Sequence, residues 1–280
     1  MKSAVGERVL TEMEIKNLEI RIVHEANYIN EFLKDKPSYD YIYQLNNLAP
    51  EIWQQVICYG LFAGEQMLQI AMMNMNYQIP VLLAAGFDNK DYSKELVSRI
   101  KPFLPAQFYT HIDQETVDEV FTKDKVINLA EYLNMGFCND HLLTEGAESN
   151  AMRLGVKELS MIKELLEISY PEAWLDDELV ALNENFGIFS GAKLISFAGI
   201  HAYSEQFAAA AIAHVTTHPE YRSMGYGEEV VVALIKSLRD KIKFIGLNVR
   251  ADNFKATNCY RKIGFVEYGK FVACEIIINN

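Results

Sequence analysis

The chain is 280 residues long, 50% of them apolar and 23% charged, with a formal net charge of −12. That length favours two domains, and the composition leaves no room for a long disordered tail. The negative balance argues against a general nucleic-acid binder and suits cationic or amine-bearing partners, although solubility alone accounts for it. Cys58, Cys138, Cys259 and Cys274 are far apart, unlike a zinc site or a disulfide framework, so a reducing cytoplasm is the expected location. The longest apolar run, Ile57 to Met73, is broken by Gly64-Glu65-Gln66 and falls short of a membrane span, and no secretory apolar segment opens the sequence.

In chain order, residues 10–35 carry apolar positions at helical spacing, and Glu51 to Ile57 after Pro50 fits a helix opening or a short strand. Leu61 to Asn74 and Ile79 to Ala85 read as buried strands, Tyr92 to Lys101 as a helix and Ala106 to His111 as a strand. The polar stretch Cys138 to Asn150 reads as a linker, which places the boundary near residue 145 and divides the chain into 1–145 and 146–280. Beyond it come a short strand at Ala151 to Leu154, an amphipathic helix from Val156 to Ser169 stopped by Pro171, and a helical piece from Trp174 to Asn183. A hairpin follows, with arms Phe186 to Ser190 and Lys193 to Tyr203 turning at Ser190-Gly191, and Phe207 to Thr217 makes a third strand. The remainder reads as helix Gly227 to Leu238, strand Phe244 to Val249, helix Phe254 to Ile263 and strand Val266 to Ile278. Both halves are thus α/β with mixed sheets, similar in size, and a long-period duplication fits them.

The segment His218 to Gly227, between a strand and a helix, is the most informative. Gly225 and Gly227 let the backbone approach a ligand closely, and the free N–H groups of a helix's first turn suit a pyrophosphate. Arg222 adds a positive charge. One helix and one strand later stands Asn253-Phe-Lys-Ala-Thr-Asn-Cys-Tyr-Arg-Lys-Ile-Gly-Phe265.

Together these segments resemble the GNAT superfamily of N-acetyltransferases, with its Arg or Gln-x-x-Gly-x-Gly or Ala loop and its later Asn-x-x-Ala-x-x-x-Tyr-x-x-x-Gly-Phe. Pro219, Arg222, Gly225, Gly227, Asn253, Ala256, Tyr260, Gly264 and Phe265 fill the pattern, and the likeness extends from about Arg153 to the end. The resemblance implies acetyl-CoA as cosubstrate, held in a V between the strand ending at Thr217 and the strand starting at Phe244. It implies that the backbone of Val215, Thr216 and Thr217 pairs with the pantetheine arm. The amides of Arg222, Ser223, Met224, Gly225, Tyr226 and Gly227 then hold the pyrophosphate, Asn253 contacts the pantetheine side and Ala256 leaves room for it.

By the same resemblance Tyr260 is the general acid that protonates the departing thiolate; packing is its alternative role. Where relatives carry Glu or His as a base, this chain has Ala211 and Ala213. His214 lies on the same strand, but alternation turns it to the other face, where a core histidine is the plainer reading. His201, Glu205, Asn248 or a water chain remain as candidates. Cys259 reads as a buried helix cysteine, and there is no metal motif.

Residues 1–145 contain no Arg-x-x-Gly-x-Gly loop, and Gly60-Leu-Phe-Ala-Gly64 has the wrong spacing. Their element pattern nevertheless resembles a degenerate GNAT-like module of two-domain members, which typically helps to shape the acceptor pocket. Tyr39, Tyr41, Tyr43 and Trp53 either line that pocket or serve core packing or a dimer face. The expected activity is acetyl transfer to a primary amine of a small molecule or peptide, by direct attack in a ternary complex. Acylation of a protein or with a longer chain, and a non-catalytic acyl-CoA-binding module, are the alternatives. The expected partners are acetyl-CoA and an amine acceptor, with neither nucleic acid nor membrane, in a monomer or homodimer.

Overall fold

The computed structural model describes residues 17–36, 38–139, 149–173, 175, 177–182 and 184–278. The first half contains β1 (Leu18–Ile22), α1 (Ala26–Leu33), α2 (Ile42–Asn47), α3 (Pro50–Trp53), β2 (Val56–Ala63), β3 (Gln66–Asn74) and β4 (Val81–Leu83). It continues with α4 (Lys90–Ile100), β5 (Gln107–Ile112), α5 (Gln114–Val120) and β6 (Val126–Phe137). The second half runs β7 (Met152–Leu154), α6 (Leu159–Ser169), α7 (Asp177–Leu182), β8 (Asn185–Ser190), β9 (Lys193–Ser204) and β10 (Ala209–Thr217). It ends with α8 (Tyr226–Leu238), β11 (Phe244–Arg250), α9 (Phe254–Ile263) and β12 (Phe265–Ile277).

The chain folds into two compact units, Met1–Tyr132 with Gly269–Asn280, and Leu133–Tyr268. In the first, β1, β2, β3 and β4 are successively antiparallel, and β5 lies parallel to β4 with α4 between them in sequence. The end of β12 then pairs antiparallel with β5, Val272 opposite Ile112. Leu61, Leu82, Leu96, Ile100 and Phe108 form the core, joined by Val272, Cys274 and Ile276 on alternate positions of β12. Burial of each large apolar side chain contributes roughly 1.5–3 kcal/mol.

The second unit repeats this order. Strands β7, β8, β9 and β10 form an antiparallel meander, and β11 lies parallel to β10 with α8 between them in sequence. The end of β6 lies beside β11, where Asn134 Nδ2 donates to Asn248 Oδ1 at 3.3 Å. On α8, Val230, Val231, Leu234, Ile235 and Leu238 recur at helical spacing and are fully buried against Ile212, Ile245 and Leu247. On the opposite face, Ile162, Leu165 and Leu166 of α6 cover Leu194 and Phe197. The shared order, with one helix between the parallel strands of each unit, gives the long-period duplication a physical form.

Several expectations need correction. The described part of residues 10–35 is a strand followed by a helix, because Leu18, Ile20 and Ile22 alternate with polar neighbours and pair with β2. Leu61 to Asn74 is no single strand: the apolar run turns back at Gly64-Glu65 to form the β2–β3 hairpin. Helix α5 and strand β6 occupy a stretch read without elements. The linker position at 145 lies outside the described residues, as do Trp174 and Asn183 at the ends of the expected helical piece. The units divide at Tyr132, within β6, and again at Tyr268, within β12, so each takes the end of one of these strands from the other half of the sequence. A cut near 145 would strip Val272, Cys274 and Ile276 from the first core.

Candidate active site

Strands β10 and β11 start as neighbours and then part. Ala209 to Ile212 pair with Phe244 to Leu247, whereas the ladder stops there although β10 continues to Thr217 and β11 to Arg250. On its other edge β10 stays attached to β9, with Thr216 opposite Phe197 and Thr217 opposite Ser196. Residues 213–217 therefore present their free backbone edge toward the gap. A flexible amide-containing chain can add to such an edge as an extra strand.

Side chains pin this segment from the covered edge. Ser196 Oγ donates to the Thr216 carbonyl at 3.1 Å and lies 2.9 Å from Thr217 Oγ1. Thr216 Oγ1 donates to Ser169 Oγ, at the end of α6, at 2.7 Å. The chain then leaves β10 through buried His218, whose N–H donates to the Ile195 carbonyl at 2.8 Å, and through a short 3-10 turn at Pro219–Tyr221. His218 Nε2 meets Lys193 Nζ at 2.9 Å. Arg222 reaches back, Nε donating to the Thr217 carbonyl at 3.1 Å and Nη2 to the Ser169 carbonyl at 3.2 Å. Its guanidinium thus braces the loop as well as charging it.

Ser223 (φ 66°) and Gly225 (φ 89°) both adopt left-handed backbone, and Gly225 is the N-cap of α8. Alternating the hand of successive residues turns their amides into one concavity, an arrangement that binds anions, and the positive end of the helix dipole adds to it. A Cβ on Gly225 would meet nothing within 4 Å, so the space above this amide is open. The residues fit a pyrophosphate.

A sequence profile of the Acetyltransferase (GNAT) family matches residues 159–265. The chain carries a GNAT acetyltransferase domain. No curated protein sequence matches it. The GNAT fold is borne out by solved structures similar to this chain. An X-ray structure of a Drosophila protein shares 13% identity over 93% of this chain and 99% of its own, with a TM-score of 0.70. A tandem GNAT protein from the clavulanic acid biosynthesis pathway shares 11% identity over 94% and 99%, with a TM-score of 0.58. An acetyltransferase of the GNAT family from Colwellia psychrerythraea shares 11% over 92% and 99%, with a TM-score of 0.54. The mixed α/β architecture expected for a GNAT protein is therefore present, and members of this family are acyltransferases. Among the described residues no helix is long and apolar enough to cross a membrane.

The second GNAT motif segment builds α9. Asn253 Oδ1 accepts from the Ala256 N–H at 3.2 Å, capping the helix, so this residue has a structural task of its own. Gly264 ends α9 at φ 122°, its N–H donating to the Tyr260 and Arg261 carbonyls, a conformation that side chains other than glycine rarely adopt. Tyr260 is buried, its ring 5.7 Å from that of Phe265. Burial, with Cys259 and Tyr170 nearby, pushes its phenol well above the usual range, so it keeps its proton. The proximity of Tyr170 had no signal in the sequence. Burial and Glu228 push the Cys259 thiol up to about 11, so at neutral pH it is not a thiolate.

Ala211 is fully buried and, with Ala213, supplies no proton acceptor. Glu205 is exposed and faces Lys241 at 3.9 Å on the surface. Asn248 is engaged with Asn134.

The corresponding place in the first unit is closed. There β4 and β5 stay paired through Leu83 and His111, and the Ala84 N–H donates to the His111 carbonyl at 2.9 Å. The Gly86 amide is already taken by Asp113 Oδ2 at 2.7 Å, and Phe87 packs edge-on against Phe271. Asp88, on the same loop, accepts from Lys36 and Tyr41. Carboxylates stand where the GNAT domain offers free amides, which suits no phosphate. Tyr41 is buried and joins this packed cluster through Phe87, and the partly buried Tyr43 meets His111 edge-on.

Asp40 in this cluster gives a pH prediction. It is 9% exposed, its Oδ1 has no hydrogen-bond partner, and burial together with the charge of Asp88 pushes its carboxyl up to about 7. Unfolded, it loses its proton near 3.8. Between these values the folded chain binds the proton more tightly, so stability falls as pH rises from 4 to 7 and stays reduced above. Asp40→Asn should raise the unfolding free energy at pH 8 by about 2–4 kcal/mol, with the gain vanishing near pH 4. Denaturant melts of both proteins at the two pH values check this.

Proposed function

We propose that this protein transfers an acetyl group from acetyl-CoA to a primary amine of a small molecule or peptide, by direct attack in a ternary complex. The observation that carries this reading is the continuity of a free backbone edge at 213–217 with the anion-binding loop at 222–227. Val215 to Thr217 pair with the pantetheine arm, and the amides of Ser223 to Gly227 hold the pyrophosphate beside Arg222. Asn253 and Ala256 border the arm. Tyr260, protonated at neutral pH, donates to the departing sulfur. The net charge of −12 favours a cationic acceptor.

Ala211 and Ala213 favour a second reading, an acyl-CoA-binding module without turnover. Release of CoA thiol from acetyl-CoA separates the two, with propylamine, tyramine, spermidine and a lysine-containing peptide as acceptors. Turnover on at least one amine is expected; tight acetyl-CoA binding with no turnover on any would establish the binding module.

A further inference from the structure

The alternation that turned His214 away from the reacting face does not survive in the structure. The β9–β10 ladder shifts twice. Ala211 is opposite Ala202 but Ile212 is opposite Ile200, which leaves His201 as an extra residue on β9. Ala213 is opposite Gly199 but Thr216 is opposite Phe197, which leaves an extra residue on β10, and there His214 adopts left-handed backbone at φ 56°. Both neighbouring strands bulge at a histidine. The two imidazoles meet edge-on, ring centres 6.1 Å apart. Bulges re-aim side chains and gather beside active sites.

The place matters as much as the geometry. His214 stands just past Ile212, the last β10 residue paired with β11, and just before Val215. On the reading proposed above, on which this inference rests, the arm runs from the loop back along 217 to 215, which brings its acyl end to His214. The ring is half-buried, and burial together with the charge of His201 holds its pKa down to about 4. No carboxylate or other cation contributes to that shift, so the resting imidazole is neutral at pH 7.

We propose that His214 is the general base of the acyl transfer and that His201 positions its ring. The amine nitrogen bonds to the thioester carbon, and its N–H proton passes to the free ring nitrogen of His214. The C–S bond then breaks with its electron pair on sulfur, which takes the Tyr260 proton. The imidazolium proton returns through solvent to the tyrosinate, leaving amide and CoA thiol.

The test uses His214→Asn, because Asn tolerates left-handed backbone, and His201→Asn. Thiol release is measured from pH 3.5 to 9 with the amine giving the highest wild-type turnover, and with hydroxylamine, which is largely unprotonated at neutral pH. His214→Asn should lower kcat/KM for the amine by about 10²–10⁴-fold while acetylation of hydroxylamine and acetyl-CoA affinity stay within a few-fold of wild type. His201→Asn removes the like charge, so the acidic limb of the profile should move to higher pH. Wild-type kcat/KM in His214→Asn, an equal loss with hydroxylamine, or an unmoved acidic limb in His201→Asn would overturn the assignment. A wild type without turnover overturns the transferase reading itself and this assignment with it.

Discussion

Replacing Gly225 with glutamate should abolish acetyl-CoA binding while leaving the protein folded. At φ 89° any L-residue is strained by about 1–2 kcal/mol, a modest loss for a helix N-cap whose Cβ would meet no neighbour. The ligand suffers far more. A carboxylate placed where the phosphates sit repels each by about 3 kcal/mol at ~5 Å and an effective dielectric near 20, which alone weakens binding by at least about 100-fold. Calorimetric titration with acetyl-CoA reads the loss, and circular dichroism with a thermal melt shows the retained fold. Unchanged affinity in the folded variant would mean that the phosphates bind elsewhere.

Tyr260→Phe should divide binding from chemistry. The phenol lies in a buried setting beside Phe265, and Phe preserves that packing. Loss of the hydroxyl should lower kcat by about 10²–10³-fold and leave the acetyl-CoA affinity within about 3-fold, because an acid acts when the sulfur departs rather than when the thioester binds. Steady-state rates on the best amine, paired with acetyl-CoA titrations, resolve the two quantities. A variant that keeps wild-type kcat makes Tyr260 a packing residue.

The features legible in the sequence are those whose physics is local. The turn at Ser190-Gly191, the apolar stripe of α8 and the glycine before its first turn each depend on a few adjacent residues. They were enough to order every element from β7 to β12. Features set by distant partners left no such trace. The end of β12 belongs with β5, and the end of β6 with β11, through pairings far apart in the sequence. The run from Val56 to Asn74 is interrupted at Gly64-Glu65-Gln66, but a break that short did not by itself mark a chain reversal. His201 and His214 bulge because of their register with each other's strands, and neither is a residue that signals a bulge. The burial of Asp40 is of the same kind: Asp88, whose charge it feels, comes from another segment, and a carboxylate in sequence reads as solvent-exposed.

The central claim is that the backbone of 223–227 and the free edge of β10 hold acetyl-CoA. Amide hydrogen exchange, with and without saturating acetyl-CoA, tests it most directly. Exchange at Ser223 to Gly227 and at Val215 to Thr217 should slow on addition of the ligand, while the Gly86 loop of the first unit stays unchanged. Binding that leaves the 215–227 amides unprotected, or protects the Gly86 loop instead, would contradict the claim.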